Sequence, residues 1–276
     1  MTDQIRGTGV GYASVAERVQ FKPPWSPDLQ QVTDGVWLVR GDIKHGMNVF
    51  LLADDGGVTA FDAGTRPMTT AVKRAAEKLG GLKRVVLGHS HSDHRGTAPS
   101  LGVPVYCHPD EQPYAEKPTW QENAPYWDMD KLEVGVVRWL YRHWLHDRWD
   151  GGAVEIAGTV SEGDQVCGFD VVDLPGHSPG LIGLWRAADR VAIVSDTVYF
   201  ADSARLKPLD YPNVPHAAFN WDTERARQSV RKLASLEPAM VCAGHDEPHS
   251  APDMREQLEK AADAVVPGTE AAADAA

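Results

Sequence analysis

The chain has 276 residues, a length that suits one large domain or two small ones. Its 39 acidic residues outnumber 27 basic ones, and the resulting net charge of −12 argues against a duplex nucleic-acid partner. Three widely spaced cysteines form no disulfide framework, and no stretch is long and apolar enough to span a membrane. The first twenty residues also lack the apolar segment of a signal peptide. We therefore expect a reduced, soluble, cytoplasmic protein with neither a nucleic-acid nor a membrane partner.

The first part of the chain predicts an arm and then a β/α unit. Residues 1–30 are polar and contain three prolines in "FKPPWSPD", which favours an extended arm over helix. "GVWLVRG" and "NVFLLADDGGVTAFDAG" predict short strands, with a hairpin turn at Asp55–Gly57. The segment "PMTTAVKRAAEKLGG" predicts a helix between Pro67 and a Gly-Gly stop, and "KRVVLGHS" predicts a buried strand after it.

The second half of the chain repeats this order. "RVAIVSDT" predicts a strand that ends in Asp196, as "GVTAFDAG" ends in Asp62. A helix with Asp222 as its N-cap follows, and "AMVCAGHDEP" then predicts a strand that ends near His245, as "RVVLGHS" ends near His89. We interpret the chain as two similar β/α halves whose strand ends meet along one edge.

A tryptophan-rich segment separates the two halves. Five of the nine tryptophans fall within residues 120–149. The pattern predicts a helix from Asp128 to Trp149. Its main apolar stripe is Leu132, Val136, Leu140 and Trp144, with Val137, Tyr141 and Leu145 beside it. Two interpretations stay open: a core or dimer-interface helix, or an insertion that covers an active site and supplies an apolar wall.

The stretch "GHSHSDHRG", residues 88–96, carries four metal-binding side chains in one short turn: His89, His91, Asp93 and His94. Neutral imidazole and carboxylate are ligands that suit zinc and similar transition metals. The first two histidines can reach one metal, and the following aspartate and histidine can reach a second. Four ligands are too many for one metal that keeps an open catalytic position, so the motif predicts two metals and further ligands elsewhere.

Three later residues are candidates for those ligands. His177 lies in the rigid turn "DLPGHSPG", Asp196 follows a strand where its carboxylate could bridge two metals, and His245 ends the last strand. A lone histidine is more often an ordinary polar residue than a ligand. Together with the opening motif, however, these residues predict a catalytic centre, because structural zinc sites rely on cysteine and are closed.

These residues resemble the H-x-H-x-D-H motif and later ligands of the metallo-β-lactamase-fold hydrolases, nearest to the N-acyl homoserine lactonase and glyoxalase II-like branch. The resemblance covers about residues 32–250. It implies an α+β fold, a four-layer αββα sandwich of two similar halves with the metals at one sheet edge. We expect a single domain over residues 31–266, with the tryptophan-rich insertion at about 105–151 and a disordered tail at 267–276.

The resemblance also implies a role for each candidate ligand. The first metal takes His89, His91 and His177, the second takes Asp93, His94 and His245, and Asp196 bridges both. Asp62 matches an aspartate that orients the ligand loop. The implied cofactors are two divalent metal ions, zinc first, with iron or manganese as alternatives.

The implied reaction is attack on an ester-type carbonyl by hydroxide that the two metals generate. Catalytic roles then fall to Asp93, Asp196 and Tyr199. Tyr199 lies three residues after Asp196, the offset at which N-acyl homoserine lactonases place a substrate-binding tyrosine; alternatively, it only packs under a loop. An aspartate at the bridging position argues against β-lactamase activity.

The substrate prediction is a small acyl molecule, with a lactone or carboxylic ester first. A thioester, cleaved as by glyoxalase II or a polyketide thioesterase, is the second reading, and a mononuclear-iron persulfide dioxygenase is the rival from another class. Pocket candidates are Trp139, Trp144 and His45. The tryptophan-rich helix is also compatible with a homodimer.

Overall fold

The computed structural model describes residues 29–42, 46–203 and 207–269. Nearly all of the predicted N-terminal arm lies outside these ranges, as do residues 270–276 of the predicted tail and the pocket candidate His45. None of the helices in the described residues is long and apolar enough to cross a membrane.

The first sheet contains seven strands whose order in space follows their order in the chain. The strands are β1 (Leu29–Thr33), β2 (Val36–Gly41), β3 (Met47–Asp54), β4 (Gly57–Phe61), β5 (Leu82–Val86), β6 (Val105–Cys107) and β7 (Gly158–Thr159). The hairpin between β3 and β4 turns where predicted, and Gly56 there has a φ of +65°, which glycine adopts readily.

The second half of the chain forms a five-stranded sheet and a separate hairpin. The strands are β8 (Gln165–Val166), β9 (Phe169–Asp173), β10 (Ile182–Arg186), β11 (Val191–Ser195), β12 (Tyr199–Asp202), β13 (Lys207–Asn213) and β14 (Met240–Ala243). The sheet has the order β14-β11-β10-β9-β8, and β12 pairs with β13 in the hairpin, which the sequence did not predict.

The helices are short except for three that cover the sheets. In chain order they are α1 (Thr69–Lys78), α2 (Ser92–Arg95), α3 (Ala98–Leu101), α4 (Gln112–Ala115), α5 (Trp120–Asn123), α6 (Gly135–Leu140), α7 (His146–Trp149), α8 (Thr223–Ser235) and α9 (Met254–Asp263). The predicted helices after Pro67 and after Asp222 correspond to α1 and α8.

Three apolar clusters define the four layers of the fold. Along β3, Phe50 and Leu52 face the second sheet, whereas Val49 and Leu51 face α1, because successive side chains of a strand point to opposite faces. A third cluster joins the other face of the second sheet to α8 and α9. The result is a helix, sheet, sheet, helix sandwich, which confirms the predicted α+β fold class.

The repeated order of strand, helix and strand is also confirmed. In the first half, β4 and β5 pair in parallel and are joined through α1; in the second, β11 and β14 pair in parallel and are joined through α8. Parallel neighbours end at the same edge of a sheet. Asp62 and His89 therefore lie at one strand edge, and Asp196 and His245 lie at the equivalent edge of the other half.

The tryptophan-rich segment lies between β6 and β7, and its structure corrects the predicted continuous helix. Residues Met129–Lys131 form only a 3-10 turn, and the helix begins at Gly135. It continues through one π turn, Tyr141–Leu145, into α7. The π turn widens the helix locally and changes which residues share a face.

The buried face of this helix also differs from the predicted stripe. Val136 is 65% exposed and Trp144 is 48% exposed, so Leu132 is the only fully buried residue of the main predicted stripe. The neighbouring residues Val137, Tyr141 and Leu145 are buried instead. They pack with Leu132, Ala218 and Phe219 in a small apolar cluster of their own.

A buried arginine ties the tryptophan-rich segment to the turn that carries His89 to His94. Arg95 follows His94 in α2 and is fully buried. Its guanidinium donates to the backbone carbonyls of Ala115 at 2.7 Å and Lys117 at 2.8 Å, and to the carboxylate of Asp150 at 3.0 Å. A buried cation needs such partners, so Ala115, Lys117 and Asp150, which flank the tryptophan-rich segment, are held beside α2.

The N-cap of α8 provides a test of the local structure. The Asp222 side chain accepts a hydrogen bond from the Arg225 backbone N–H at 3.0 Å, whereas Asp253, at the start of α9, makes no such cap. Asp222→Ala is expected to lower the free energy of unfolding by about 1 kcal/mol in urea denaturation. Asp253→Ala is the matched control and should lower the free energy of unfolding by less. An equal decrease in both variants would contradict the capping role of Asp222.

Candidate metal centre

The candidate ligands lie where strands of both halves end. The H-x-H-x-D-H turn follows β5 and enters α2, His177 lies in the loop between β9 and β10, and Asp196 and His245 follow β11 and β14. Two residues at these strand ends, Asp62 and Ser195, have φ values of 60° and 45°. This left-handed conformation is uncommon for residues other than glycine and is often found at functional sites.

The first group of ligands consists of three buried histidines. One ligand atom from each of His89, His91 and His177 lies within 4.8 Å of the others. The Nε2 atom of His89 is 2.9 Å from the Nδ1 atom of His91. These three residues are the predicted set for the first metal, and the fold brings them together.

The second group combines Asp93, His94 and His245, whose ligand atoms also lie within 4.8 Å of one another. The Asp93 Oδ2 atom is 3.5 Å from His245 Nε2 and 3.9 Å from His94 Nε2. These residues are the predicted set for the second metal.

Asp196 lies between the two groups. Its Oδ1 atom is 3.2 Å from His94 Nε2, and its Oδ2 atom is 3.5 Å from His177 Nε2 and 3.3 Å from His245 Nε2. One carboxylate thus contacts ligands of both groups, which is the arrangement that a bridging ligand requires.

Each of the five histidines uses its other ring nitrogen for a contact that orients the ring. The pairs are His89 Nδ1 with Ser195 Oγ (3.0 Å), His91 Nε2 with Tyr126 Oη (2.7 Å), His94 Nδ1 with Asp62 Oδ2 (2.9 Å), His177 Nδ1 with Asn220 Oδ1 (3.3 Å) and His245 Nδ1 with the Gly46 carbonyl (2.8 Å). Metal-binding histidines characteristically make such a second contact, which fixes the tautomer and the direction of the free nitrogen.

Asp62 is the centre of this supporting network. Its Oδ1 atom accepts the Gly88 backbone N–H at 2.7 Å, and its Oδ2 atom accepts the Ser195 hydroxyl at 2.7 Å and contacts His94 Nδ1. It also lies close enough to His89 and His94 to form a third candidate group of ligands. Because both Asp62 carboxylate oxygens already accept hydrogen bonds, Asp62 is better placed to orient the ligands than to bind a metal itself.

The electrostatics of the two groups differ. Burial lowers the pKa of His89 and His91 well below the usual value and that of His177 to about 4, so these rings are neutral. Burial opposes protonation of His245 as well, but the carboxylates of Asp196 and Asp93 outweigh it and raise the pKa of His245 to about 9. The second group therefore favours positive charge, which a divalent cation supplies in place of protons.

Two buried atoms indicate that this centre fits a metal. His94 Nε2 and Asp196 Oδ1 lie 3.2 Å apart, but neither makes a well-directed hydrogen bond to any described residue, although both are shielded from solvent. Buried polar atoms without partners are rare in folded proteins and call for an explanation. Imidazole nitrogens and carboxylate oxygens are a donor set for zinc, iron or manganese.

Glu111 is a supporting residue that the sequence did not reveal. It is fully buried, and its Oε2 atom accepts the backbone N–H of Ser90 at 2.8 Å and the Ser90 hydroxyl at 2.6 Å. Its Oε1 atom accepts the backbone N–H of Gly180 at 2.8 Å. One carboxylate thus joins the loop of His89 and His91 to the loop of His177, and nothing in "HPDEQP" indicates this long-range contact.

A cavity of about 1040 Å³ opens over the candidate metal centre. Its floor includes His91, Asp93, His177, Asp196 and His245, and its apolar wall includes Trp127, Leu140, Trp144, Leu145 and Phe219. The wall comes mainly from the tryptophan-rich segment.

The structure corrects one of the three predicted pocket residues. Trp144 lines the cavity as predicted. Trp139 is not among its lining residues; it is 57% exposed, and its ring lies beside His143. Leu140 and Trp144, four residues apart, share the cavity face, whereas Trp139 is rotated away from it by the helical period. The third candidate, His45, lies outside the described residues.

Sequence comparison now identifies the family. The model of the metallo-beta-lactamase superfamily matches residues 45–245, and the chain belongs to this superfamily. It is 29% identical over 259 residues to the probable metallo-hydrolase YflN of Bacillus subtilis, covering 85% of this chain and 95% of that protein. It is also 26% identical over 183 residues to the hydroxyacylglutathione hydrolase GloC of Haemophilus influenzae, covering 63% of this chain and 73% of that protein.

Structural comparison supports the same fold. A metallo-beta-lactamase family protein of Thermus thermophilus, TTHA1429, matches with a TM-score of 0.58 and 22% identity, covering 83% of this chain and 79% of that one. Together, these findings support a metal-dependent hydrolase family with histidine and aspartate metal-binding groups.

The contacts of Glu111 lead to a prediction about metal retention. In Glu111→Ala, the loops of the three-histidine group lose their common acceptor, so metal affinity there is expected to fall about 10- to 100-fold. Chelator competition with measurement of bound metal tests this, and circular dichroism verifies that the variant is folded. Glu111→Gln keeps one acceptor oxygen and should lie between Ala and wild type. Unchanged retention in a folded Glu111→Ala protein would refute the supporting role.

Proposed function

We propose that the protein is a dinuclear metal-dependent hydrolase that cleaves an ester-type bond in a small acyl substrate, with a lactone or carboxylic ester as the preferred class. One observation carries the proposal: the seven candidate ligands converge at one place, and five of them form the floor of a large cavity whose wall is mainly apolar. A cavity of this kind suits a substrate with an apolar acyl part and a few polar atoms.

The metals would be held by the two groups of ligands described above. His89, His91 and His177 would hold one ion, Asp93, His94 and His245 the other, and Asp196 would contact both. Zinc is the first candidate, with iron or manganese as alternatives. Such a pair of ions, when bound, supplies a water activated for attack and polarises the substrate carbonyl.

Tyr199 contributes a hydroxyl beside the centre. It donates to Asp196 Oδ2 at 2.7 Å, and its side chain lines the cavity. Burial, together with the charge of Asp196, raises the pKa of Tyr199 well above its usual value, so the hydroxyl keeps its proton. We infer that it can turn from the carboxylate to the substrate oxygen on which negative charge develops.

A thioester is the second candidate substrate. It is favoured by the similarity to GloC, whose name describes the hydrolysis of a glutathione thioester. An oxygen ester and a thioester present the same carbonyl group to the candidate metal centre. Comparing the rates at which an oxygen ester and a thioester with the same acyl group are hydrolysed therefore distinguishes the two substrate classes. A persulfide dioxygenase would instead contain one iron per chain and consume oxygen.

Several predictions about the whole protein stay predictions. They are the cytoplasmic location, the homodimer, the lack of a nucleic-acid partner, and the arrangement of one domain over residues 31–266 with an insertion at 105–151. The exposed residues Val136 and Trp139 of the insertion are compatible with a dimer contact.

The first test is metal content together with turnover of lactone, ester, thioester, β-lactam and persulfide substrates. We expect about two metals per chain and hydrolysis of the lactone or ester. Asp196→Ala removes the carboxylate between the two groups and should abolish hydrolysis and reduce the bound metal, as measured by mass spectrometry. Full activity in an Asp196→Ala protein that has lost metal would contradict the two-metal mechanism. One iron per chain together with oxygen consumption would favour the persulfide dioxygenase.

Tyr199→Phe tests the hydroxyl donor separately from the metals. The variant keeps the ring but loses the donor, so kcat should fall by about 100-fold while metal content stays at the wild-type value. Steady-state kinetics and metal analysis of the same preparation measure both quantities. An unchanged kcat would mean that Tyr199 only packs beneath the loop.

A further inference from the structure

One corner of the cavity contains three polar side chains that the proposed function does not use. Asp42, Thr65 and Trp149 all line the cavity and together form its polar corner. The Asp42 side chain is 4% exposed and Thr65 is 1% exposed. The Asp42 Oδ2, Thr65 Oγ1 and Trp149 Nε1 atoms are shielded from solvent, and none has a hydrogen-bond partner among the described residues. Unpaired buried polar atoms cost free energy, so a ligand group that enters the corner and pairs with them is favoured.

Backbone and side-chain contacts bring the three residues of the polar corner together. A Cβ atom at Gly96 would overlap the carbonyl oxygen of Trp149 and would lie 2.5 Å from the backbone nitrogen that follows Thr65, so both segments meet at this glycine. Arg148, the neighbour of Trp149 in α7, donates to Asp42 Oδ1 at 2.9 Å. Asp42 and Thr65 therefore both lie beside α7.

The contacts that hold Asp42 and Thr65 leave one polar atom of each unused. Arg148 occupies one oxygen of the Asp42 carboxylate, and the other oxygen is unpaired. Thr65 precedes a short 3-10 turn, Arg66–Met68, but its hydroxyl makes no capping bond to that turn. A threonine at the start of a helical turn often uses its hydroxyl in this way. Here the hydroxyl remains available for a ligand.

The polar corner lies beside the candidate metal centre. Thr65 is three residues after Asp62, the carboxylate that orients the metal ligands. Asp42 directly follows β2, and the paired strand β3 begins after Gly46, whose carbonyl contacts His245 Nδ1 at 2.8 Å. The ligands and the corner open into one cavity, so a substrate bound at the ligands can place a second group in the corner.

The donors and acceptors of the polar corner define the chemistry of that second group. The Trp149 N–H can only donate, the Asp42 carboxylate can only accept, and the Thr65 hydroxyl can do either. An alcohol hydroxyl donates and accepts at a single atom, so it can pair with both Trp149 and Asp42. A carboxylate would be repelled by Asp42, an ammonium group could not accept from Trp149, and a methyl group would leave every atom unpaired.

We propose that the polar corner is a subsite for an alcohol hydroxyl of the substrate, which accepts a hydrogen bond from Trp149, donates one to Asp42 and pairs with Thr65. The scissile carbonyl then lies at the metal ligands, and the hydroxyl is carried elsewhere on the substrate. This inference rests on the proposed function and deepens it, because it names a hydroxylated ester or lactone as the preferred substrate.

Binding of carboxylates, the products of ester cleavage, tests the inference without turnover. The probes are ω-hydroxyalkanoates of increasing chain length, the alkanoates in which a methyl group replaces the hydroxyl, and the matching ω-aminoalkanoates. Each is titrated by calorimetry into the metal-loaded protein. At the chain length that reaches the corner, wild type should bind the hydroxyalkanoate about tenfold more tightly than its methyl counterpart.

Thr65→Val removes the hydroxyl from a side chain of nearly the same shape. It should weaken binding of the preferred hydroxyalkanoate about fivefold and change binding of the methyl counterpart by less than about twofold. Urea denaturation verifies that the variant is folded, and no loss of stability is expected because the Thr65 hydroxyl has no partner among the described residues. Thr70→Val is the matched control, because Thr70 is exposed on α1 and does not line the cavity. It should bind every probe as wild type does.

The inference is overturned if wild type prefers no hydroxyalkanoate to its methyl counterpart, or if Thr65→Val leaves that preference unchanged. Tighter binding of an ω-aminoalkanoate than of the matching hydroxyalkanoate would also overturn it, in favour of a cation site. Selective binding of a hydroxyalkanoate without hydrolysis of any lactone or ester would refute the proposed function but not the subsite.

Discussion

The candidate centre depends on one buried carboxylate that is not itself assigned as a ligand. Asp62 accepts hydrogen bonds from the backbone of Gly88 and from Ser195, and it contacts His94. Ser195 in turn contacts His89, so the carboxylate orients ligands of both metal groups. A rigid frame of this kind keeps the free imidazole nitrogens directed to one point, which is what a metal site with open positions requires.

The candidate ligands and the two similar β/α halves could be predicted because their signals are local, whereas the four-layer sandwich was implied by the resemblance to a known family. The turn from His89 to His94 holds four candidate ligands within a few residues, and the strand and helix patterns recur in both halves. Glu111 and Tyr126 could not be found in this way. Their roles arise from contacts with Ser90, Gly180 and His91, which only the folded chain brings near.

The tryptophan-rich segment shows why periodicity alone was insufficient to predict which helix face is buried. Counting in steps of four placed Val136 and Trp144 on the buried stripe, but both are largely exposed. The helix starts after Leu132 and contains a π turn, so the spacing that links residues on one face changes along it. Packing against Phe219, which is distant in sequence, selects the face with Val137 and Tyr141.

The division of ligands between two similar halves has a thermodynamic consequence. His89 and Asp93 come from the first half, and Asp196 and His245 come from the second, so a complete site exists only when the two sheets are packed together. Metal binding is therefore linked to that packing, and part of its free energy stabilises the sandwich. Removal of the metals would then destabilise the packing of the two halves as well as abolish catalysis, and neither half alone could hold the complete centre.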